Sequence, residues 1–192
     1  MDRAQTPEAG VDTAVDVRAD GPALWLRINR PEALNSISLE VIEQLQAGLD
    51  RAAADATIKA VVLTATGRAF CAGADLKAAD EAGGSGNEFR WLLGVLLNRI
   101  EAFPKPVIAA VNGLALAGGL ELILACDIVV AAESARIGDG HAKYGLLPGG
   151  GASVRLPRLI GRNRALQMFF TGDLYDAAVL ERWGLVNARR TR

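Results

Sequence analysis

The chain has almost no net charge: 21 lysines and arginines stand against 22 aspartates and glutamates, with a single histidine. That balance excludes a broad nucleic-acid surface and a polybasic membrane patch, so any preference for an anionic ligand must come from a local site. Cysteine is nearly missing as well. Cys71 and Cys126 lie far apart in apolar stretches and read as buried free thiols, forming neither a disulfide framework nor a zinc-ligand set. Long apolar runs are also absent. The longest extend over roughly ten residues, short of the ~20 that span a bilayer, and the opening MDRAQTPEAG has no signal-type apolar core. Together these absences predict a reduced, soluble, cytoplasmic protein with no membrane or nucleic-acid partner and no metal site.

Aromatic residues make up only 5% of the chain, whereas it holds 34 alanines and 21 glycines. So many small residues let main chains approach one another, or a ligand, closely. Hydrophobic residues at 51% and charged residues at 22% exclude wholesale disorder. At about 150 residues per domain, 192 residues predict one domain over 13–192 behind a polar tail at 1–12. That is enough chain to bury a core without a disulfide or metal staple.

Patterning predicts an α/β chain. Alternating Val15 and Val17 and the LWLRI run at 24–28 predict a hairpin turning at Asp20-Gly21-Pro22. Ser38 is placed to cap a helix whose apolar positions Val41, Ile42, Leu45 and Leu49 keep helical spacing. KAVVLTAT at 59–66 and PVIAAVNG at 106–113 read as buried strands, each running into a small-residue turn. EAGGSG at 81–86 reads as a mobile loop, followed by a helix through Trp91, Leu92, Val95, Leu96 and Ile100. GGLELILAC starts another helix, DIVVAA at 127–132 is strand-like, and short helices are expected near 150–159, 162–170 and 176–183. The recurring unit is a strand, a Gly/Ala-rich turn and a helix.

The two turns are where chemistry could lie. One is Phe70-Cys71-Ala72-Gly73-Ala74-Asp75-Leu76; the other is Asn112 through Leu122, which holds Gly118, Gly119 and Glu121. Each follows a buried strand and bares backbone N–H groups that no large side chain blocks. A helix beginning at Gly118 would add its unpaired N–H groups and positive dipole end. Two such turns side by side can bind one oxygen as charge builds on it, at about 3–4 kcal/mol per donor; close-packed turns without a ligand fit the spacing equally well. Glu121, amid Leu120, Leu122, Ile123 and Leu124, is either a dipole-satisfying first-turn charge or a functional carboxylate, since such apolar surroundings are costly for a charge.

VVLTATGRAFCAGADLK, followed by KPVIAAVNGLALAGGLELILACDIVVA, resembles the enoyl-CoA hydratase/isomerase family, the crotonase superfamily. NRPEALNSIS, LLPGGGAS with RLPRLIG, and TGDLYDAAVLERWGLV fit the same pattern in the same order, so the resemblance covers about 13–187. It implies a crotonase-like (ClpP/crotonase) spiral of repeated ββα units, assembled as a trimer or a dimer of trimers. It also implies an acyl-CoA thioester substrate and no cofactor beyond the coenzyme A carried by that substrate. The resemblance places an oxyanion hole at the N–H groups of Ala74 and Gly118. It places coenzyme A along Ala33, Leu34, Ala72, Gly73, Asp75, Leu76 and Lys77, with Gly119 adjoining. Lys77 and Arg30 are candidate phosphate partners or plain surface charges.

Two departures stand out. Hydratases of this pattern use two glutamates flanking a water. Glu121 matches the first, but the second position is His141, the only histidine. An imidazole titrates near pH 6.5 and can exchange a proton, yet it donates as well as accepts, unlike a carboxylate. Asp139 is an alternative acid, and Tyr144 a further pocket residue. The family's C-terminal helical part is also absent from this sequence, either truncated or not included. The expected activity is hydration or dehydration across C2–C3 of an enoyl thioester, with Glu121 and His141 catalytic. Double-bond isomerisation, thioester hydrolysis, C–C cleavage and non-catalytic acyl-CoA binding remain open. Ser153 after Gly150-Gly151-Ala152 is not a nucleophile elbow, which excludes a serine hydrolase.

Overall fold

The computed structural model describes residues 13–75 and 86–191. The expected tail at 1–12, all but the end of the expected loop at 81–86, and the site positions Leu76 and Lys77 lie outside the described residues.

Alternation at the start of the chain becomes a hairpin of β1 (Val15–Asp20) and β2 (Ala23–Ile28), turned at Gly21 with φ 56°. The tight two-residue turn admits that positive φ at no steric cost because Gly21 has no Cβ. Helix α1 (Leu39–Ala54) begins where the sequence predicts, with the Ser38 side chain accepting from the Val41 N–H. Its buried stripe of Val41, Ile42, Leu45 and Leu49 packs into the core. Strand β3 (Ala60–Ala65) pairs parallel with β2, and β5 (Val107–Val111) pairs parallel with β3. With β7 (Ile128–Ala132) and β10 (Ala188–Arg190) they complete a six-stranded sheet of order β1-β2-β3-β5-β7-β10.

Local patterning gave no sign of a second sheet, although the ββα unit that the resemblance implies has a second strand. The segments expected as small-residue turns contain the three-residue strands β4 (Ala69–Cys71) and β6 (Leu114–Leu116), joined by β8 (Arg136–Gly138) and β9 (Tyr175–Asp176) in the order β4-β6-β8-β9. Three residues are too few to show a period of two. The long strands β3, β5 and β7 each feed a short one in the other sheet. After β6 comes α3 (Gly118–Ala125); after β4, across the undescribed residues, comes α2 (Gly86–Glu101). The parallel pairings β3 with β5 and β4 with β6 make successive ββα units into turns of one winding. Helices α4 (Ala152–Ile160), α5 (Arg162–Thr171) and α6 (Ala177–Trp183) follow, close to the predicted spans.

The winding brings main chains into close contact. A Cβ on Gly119 would lie 2.1 Å from the carbonyl oxygen of Cys71. No rotamer relieves a clash with backbone, so residue 119 is held to glycine by packing, whatever else it touches. Gly119→Ala should therefore cost about 3 kcal/mol of unfolding free energy, the upper end for an inserted methyl. Urea denaturation measures it, and a loss under ~1 kcal/mol would show that the two turns can separate freely.

Candidate active site

Asn35 fixes the first wall of the site. It is fully buried at φ 56°, in the left-handed region where asparagine is tolerated. Its Oδ1 accepts from the Arg30 N–H at 2.8 Å, and its Nδ2 donates to the Thr66 and Ala69 carbonyls, each at 2.8 Å. Leu34, also left-handed, accepts from the Ala72 N–H at 3.1 Å. Farther on, the Ile37 N–H donates to the Gly73 carbonyl and the Asp75 N–H to the Ile37 carbonyl, both at 2.8 Å. Residues 34–37 are thus stitched along the turn at 72–75, which sets Leu34 beside Ala72 and Ile37 beside Gly73 and Asp75.

The second wall starts at Ala117, whose φ of 50° and ψ of −113° an alanine rarely adopts. Its N–H donates to the Gly138 carbonyl at 3.3 Å and its carbonyl accepts from the Glu121 N–H at 3.0 Å. Helix α3 begins here without a side-chain cap, leaving its first N–H groups to other acceptors. The two walls meet: a Cβ on Gly118 would lie 3.4 Å from the Ala74 nitrogen. Neither the Ala74 nor the Gly118 N–H donates to an acceptor among the described residues.

Helix α3 is buried at all eight positions, Glu121 included at 2% exposure. One carboxylate oxygen of Glu121, Oε1, accepts from the Gly150 N–H at 2.7 Å and the Ala152 N–H at 3.2 Å. Burial pushes the carboxyl above the usual carboxylate range, against the opposing pull of these N–H groups and of the His141 charge. Arg155, itself buried, steadies the loop: it donates to the Gly150 carbonyl at 2.8 Å and to Asn98 at 3.0 Å, and pairs with Glu101 at 2.6 Å.

His141 opens a 3-10 turn (His141–Tyr144), with its side chain 12% exposed. Its Nδ1 lies 2.9 Å from Oδ1 of Asp139, which is 1% exposed. Burial disfavours the charged imidazole, but the Asp139 hydrogen bond and charge, with the Glu121 charge, outweigh it and raise the ring above its ordinary value.

Other residues singled out in the sequence have surroundings of their own. Arg30 is not a free phosphate partner: it pairs with Asp75 at 2.9 Å and donates to the Ser36 carbonyl at 2.7 Å. Tyr144, at the far end of the 3-10 turn from His141, is 74% exposed. Cys71 is buried as expected, its thiol pushed up to about 12 by burial, while Cys126 is half-buried with Sγ 3.2 Å from the Leu122 carbonyl. The sequence reading missed Asn35 and Arg155, which carry no local chemical signature, and treated Asp139 as a rival of His141 rather than its partner.

A profile described as enoyl-CoA hydratase/isomerase matches residues 22–190. The chain is 43% identical over 175 residues to a mevalonyl-coenzyme A hydratase of Beauveria bassiana, covering 85% of this chain and 62% of that protein. It is 41% identical over 166 residues to the 2,3-dehydroadipyl-CoA hydratase of Escherichia coli, covering 85% and 64%. The crystal structure of an enoyl-CoA hydratase from Bacillus anthracis superposes with a TM-score of 0.86 at 39% identity, covering 93% of this chain and 70% of that one. The chain spans a little under two thirds of the length of the curated relatives that it matches.

Glu121→Gln keeps an acceptor for the Gly150 and Ala152 N–H groups but removes the buried charge. Because the folded protein holds the Glu121 proton more tightly than the unfolded chain, wild-type stability falls as pH rises through that raised value. The variant should therefore gain about 1 kcal/mol at pH 8, with the gain fading toward pH 5. A loss of stability at pH 8, measured by thermal melts across this range, contradicts the burial cost.

Proposed function

This chain belongs to the enoyl-CoA hydratase/isomerase family and has its crotonase fold, and from that premise we propose that it hydrates an enoyl-CoA thioester, and dehydrates the product, at the site described. The observation that carries this reading is the pair of unengaged amides, Ala74 and Gly118, beside a buried carboxylate one turn along the same helix.

In the forward direction the thioester oxygen accepts from both amides. Their pull makes C3 electrophilic. Glu121, as a carboxylate, takes a proton from water while the water oxygen bonds to C3. The C2–C3 π electrons move onto the thioester as an enolate whose oxygen the amides stabilise. His141 then gives a proton to C2, and the proton left on Glu121 passes back to His141 through solvent, so the sum is H and OH added across the double bond; the reverse sequence expels water. The chemistry calls for no resident metal or redox group, and coenzyme A enters as part of the substrate. Ala33, Leu34, Ala72, Gly73, Asp75 and Gly119 would line its path with Leu76 and Lys77, and Tyr144 would border it.

The same reading assigns residues 13–192 to a single domain, places the protein in the cytoplasm, and gives it a trimeric or hexameric assembly. Exposed Trp91, Leu147 and Phe170 would supply apolar surface for such contacts.

Loss of the conjugated thioester absorbance of crotonyl-CoA tests the reaction. Wild type should clear it, while Glu121→Gln and His141→Ala should each fall by about 10²-fold or more. Gly118→Ala, which sets a methyl beside the two amides, should lose about 10²–10³-fold in kcat while staying folded by circular dichroism. Calorimetric binding of the thioester with no turnover by wild type would overturn hydration and leave a binder.

A further inference from the structure

Asp139 spends both carboxylate oxygens on a single neighbour. It stands directly after β8, and Gly140, at φ 69°, folds the chain back so that residue 141 returns to it. Oδ2 accepts from the His141 backbone N–H at 3.2 Å, and Oδ1 lies 2.9 Å from the His141 ring at Nδ1. Backbone and ring of one residue are thereby tied to one buried group. The ring's other nitrogen, Nε2, has no protein partner among the described residues.

We propose that Asp139 is a positioning residue: its carboxylate keeps a proton on Nδ1 of His141, so that Nε2 is the nitrogen that exchanges a proton with substrate. This rests on the hydration reading above, in which His141 protonates C2.

The chemistry follows from what a carboxylate can do. It only accepts, so a neutral imidazole beside it must carry its hydrogen on Nδ1. When the doubly protonated ring gives its Nε2 proton to C2, the N–H bond breaks, the C–H bond forms, and the electron pair stays on Nε2. The ring is left in the tautomer that already suits Asp139, so it need not flip between turnovers. In dehydration the same Nε2 lone pair takes the C2 proton. Burial of the ring works against the imidazolium, and the nearby negative charges work for it. Those charges are Asp139 just before the turn and Glu121 on α3; the cations on the turn and on α5 packed against it are Lys143, Arg162 and Arg164.

His141 is the only histidine in the sequence, so an untagged, 15N-labelled preparation gives one imidazole to follow by NMR. At high pH the wild-type ring should show a protonated Nδ1 and a bare Nε2, and its titration midpoint should lie above ~6.5. Asp139→Asn should lower that midpoint by about one unit or more and let the Nε2–H tautomer appear. With crotonyl-CoA, Asp139→Asn should lower kcat at least ~10-fold with KM little changed. The alkaline limb of its pH–rate profile should move to lower pH along with the midpoint, because the proton donor is then lost sooner. A wild-type ring protonated on Nε2, or an Asp139→Asn ring with an unchanged midpoint, overturns the proposal. So does a variant that raises KM alone. The wild-type tautomer decides the pairing even if the variant does not fold. Should wild type fail to hydrate any enoyl thioester, the hydration reading falls while the ring spectra still decide the pairing.

Discussion

Everything at this site depends on how closely two stretches of main chain can approach. The Cys71 carbonyl occupies the place where a side chain on residue 119 would begin. That contact exists because β4 and β6 are parallel neighbours in the small sheet, each fed by a strand of the large one. Once it is made, the Gly73-Ala74 turn lies against the start of α3, and the Ala74 and Gly118 N–H groups have no acceptor among the described residues. Neither turn could hold this geometry alone. The first is clamped from outside by Asn35, and the second is twisted at Ala117 into a conformation that costs on the order of 1–3 kcal/mol. The Ala117 N–H and carbonyl are both engaged, so the surrounding hydrogen bonds over-determine the strain. The outcome is a pair of donors fixed before any ligand arrives, and preorganisation of that kind makes hydrogen bonds effective against developing charge.

Helix α3 carries the second constraint. A helix buried on every side has no need of a charge, and Glu121 is expensive there. Its place in the first turn lets the helix's positive end offset part of the cost, and the Gly150 and Ala152 N–H groups offset more. Those two N–H groups belong to a glycine-rich segment that would wander without Arg155. Because Arg155 reaches back to Asn98 and Glu101 on α2, the position of the Glu121 carboxylate is tied to that helix as well as to its own. Stability is given up at Glu121 and recovered in the packing around it, a common pattern at sites built for proton transfer.

The long elements were legible because periodicity and capping act locally: Ser38 caps α1, and Val41, Ile42, Leu45 and Leu49 form its buried stripe. The short strands were not legible, since β4, β6 and β8 owe their existence to partners far along the chain. The glycine-rich turns drew attention to two segments that the fold brings together, and the family pattern pointed to Ala74 and Gly118 within them. The spatial partners escaped notice. Arg30 looks in sequence like a cation awaiting a phosphate, yet 45 residues on it meets Asp75. Asn35 looks like a loop residue, yet it satisfies three backbone groups at once. Side chains whose role is to hold distant backbone carry no signature until the fold brings that backbone to them.

The histidine at 141 can be understood from the charge around it. Glu121 and Asp139 are both almost fully buried carboxyl groups acting on one small volume, and Asp139 raises the cost of ionising Glu121. A glutamate at 141, which the family resemblance implies, would place a third carboxylate directly against the oxygens of Asp139. Like charges at such range cannot all ionise, and the proton would be shared in a way that spoils the division into acid and base. An imidazole reverses the sign of the problem. It can be a cation between two anions, and it hydrogen-bonds Asp139 through one nitrogen while the other has no protein partner among the described residues. It also lowers the cost of keeping Glu121 ionised, which a base for water requires. The aspartate and the histidine two residues on are thus one substitution in physical terms: with Asp139 in place, the position that would otherwise hold a carboxylate is better filled by a group that can carry positive charge.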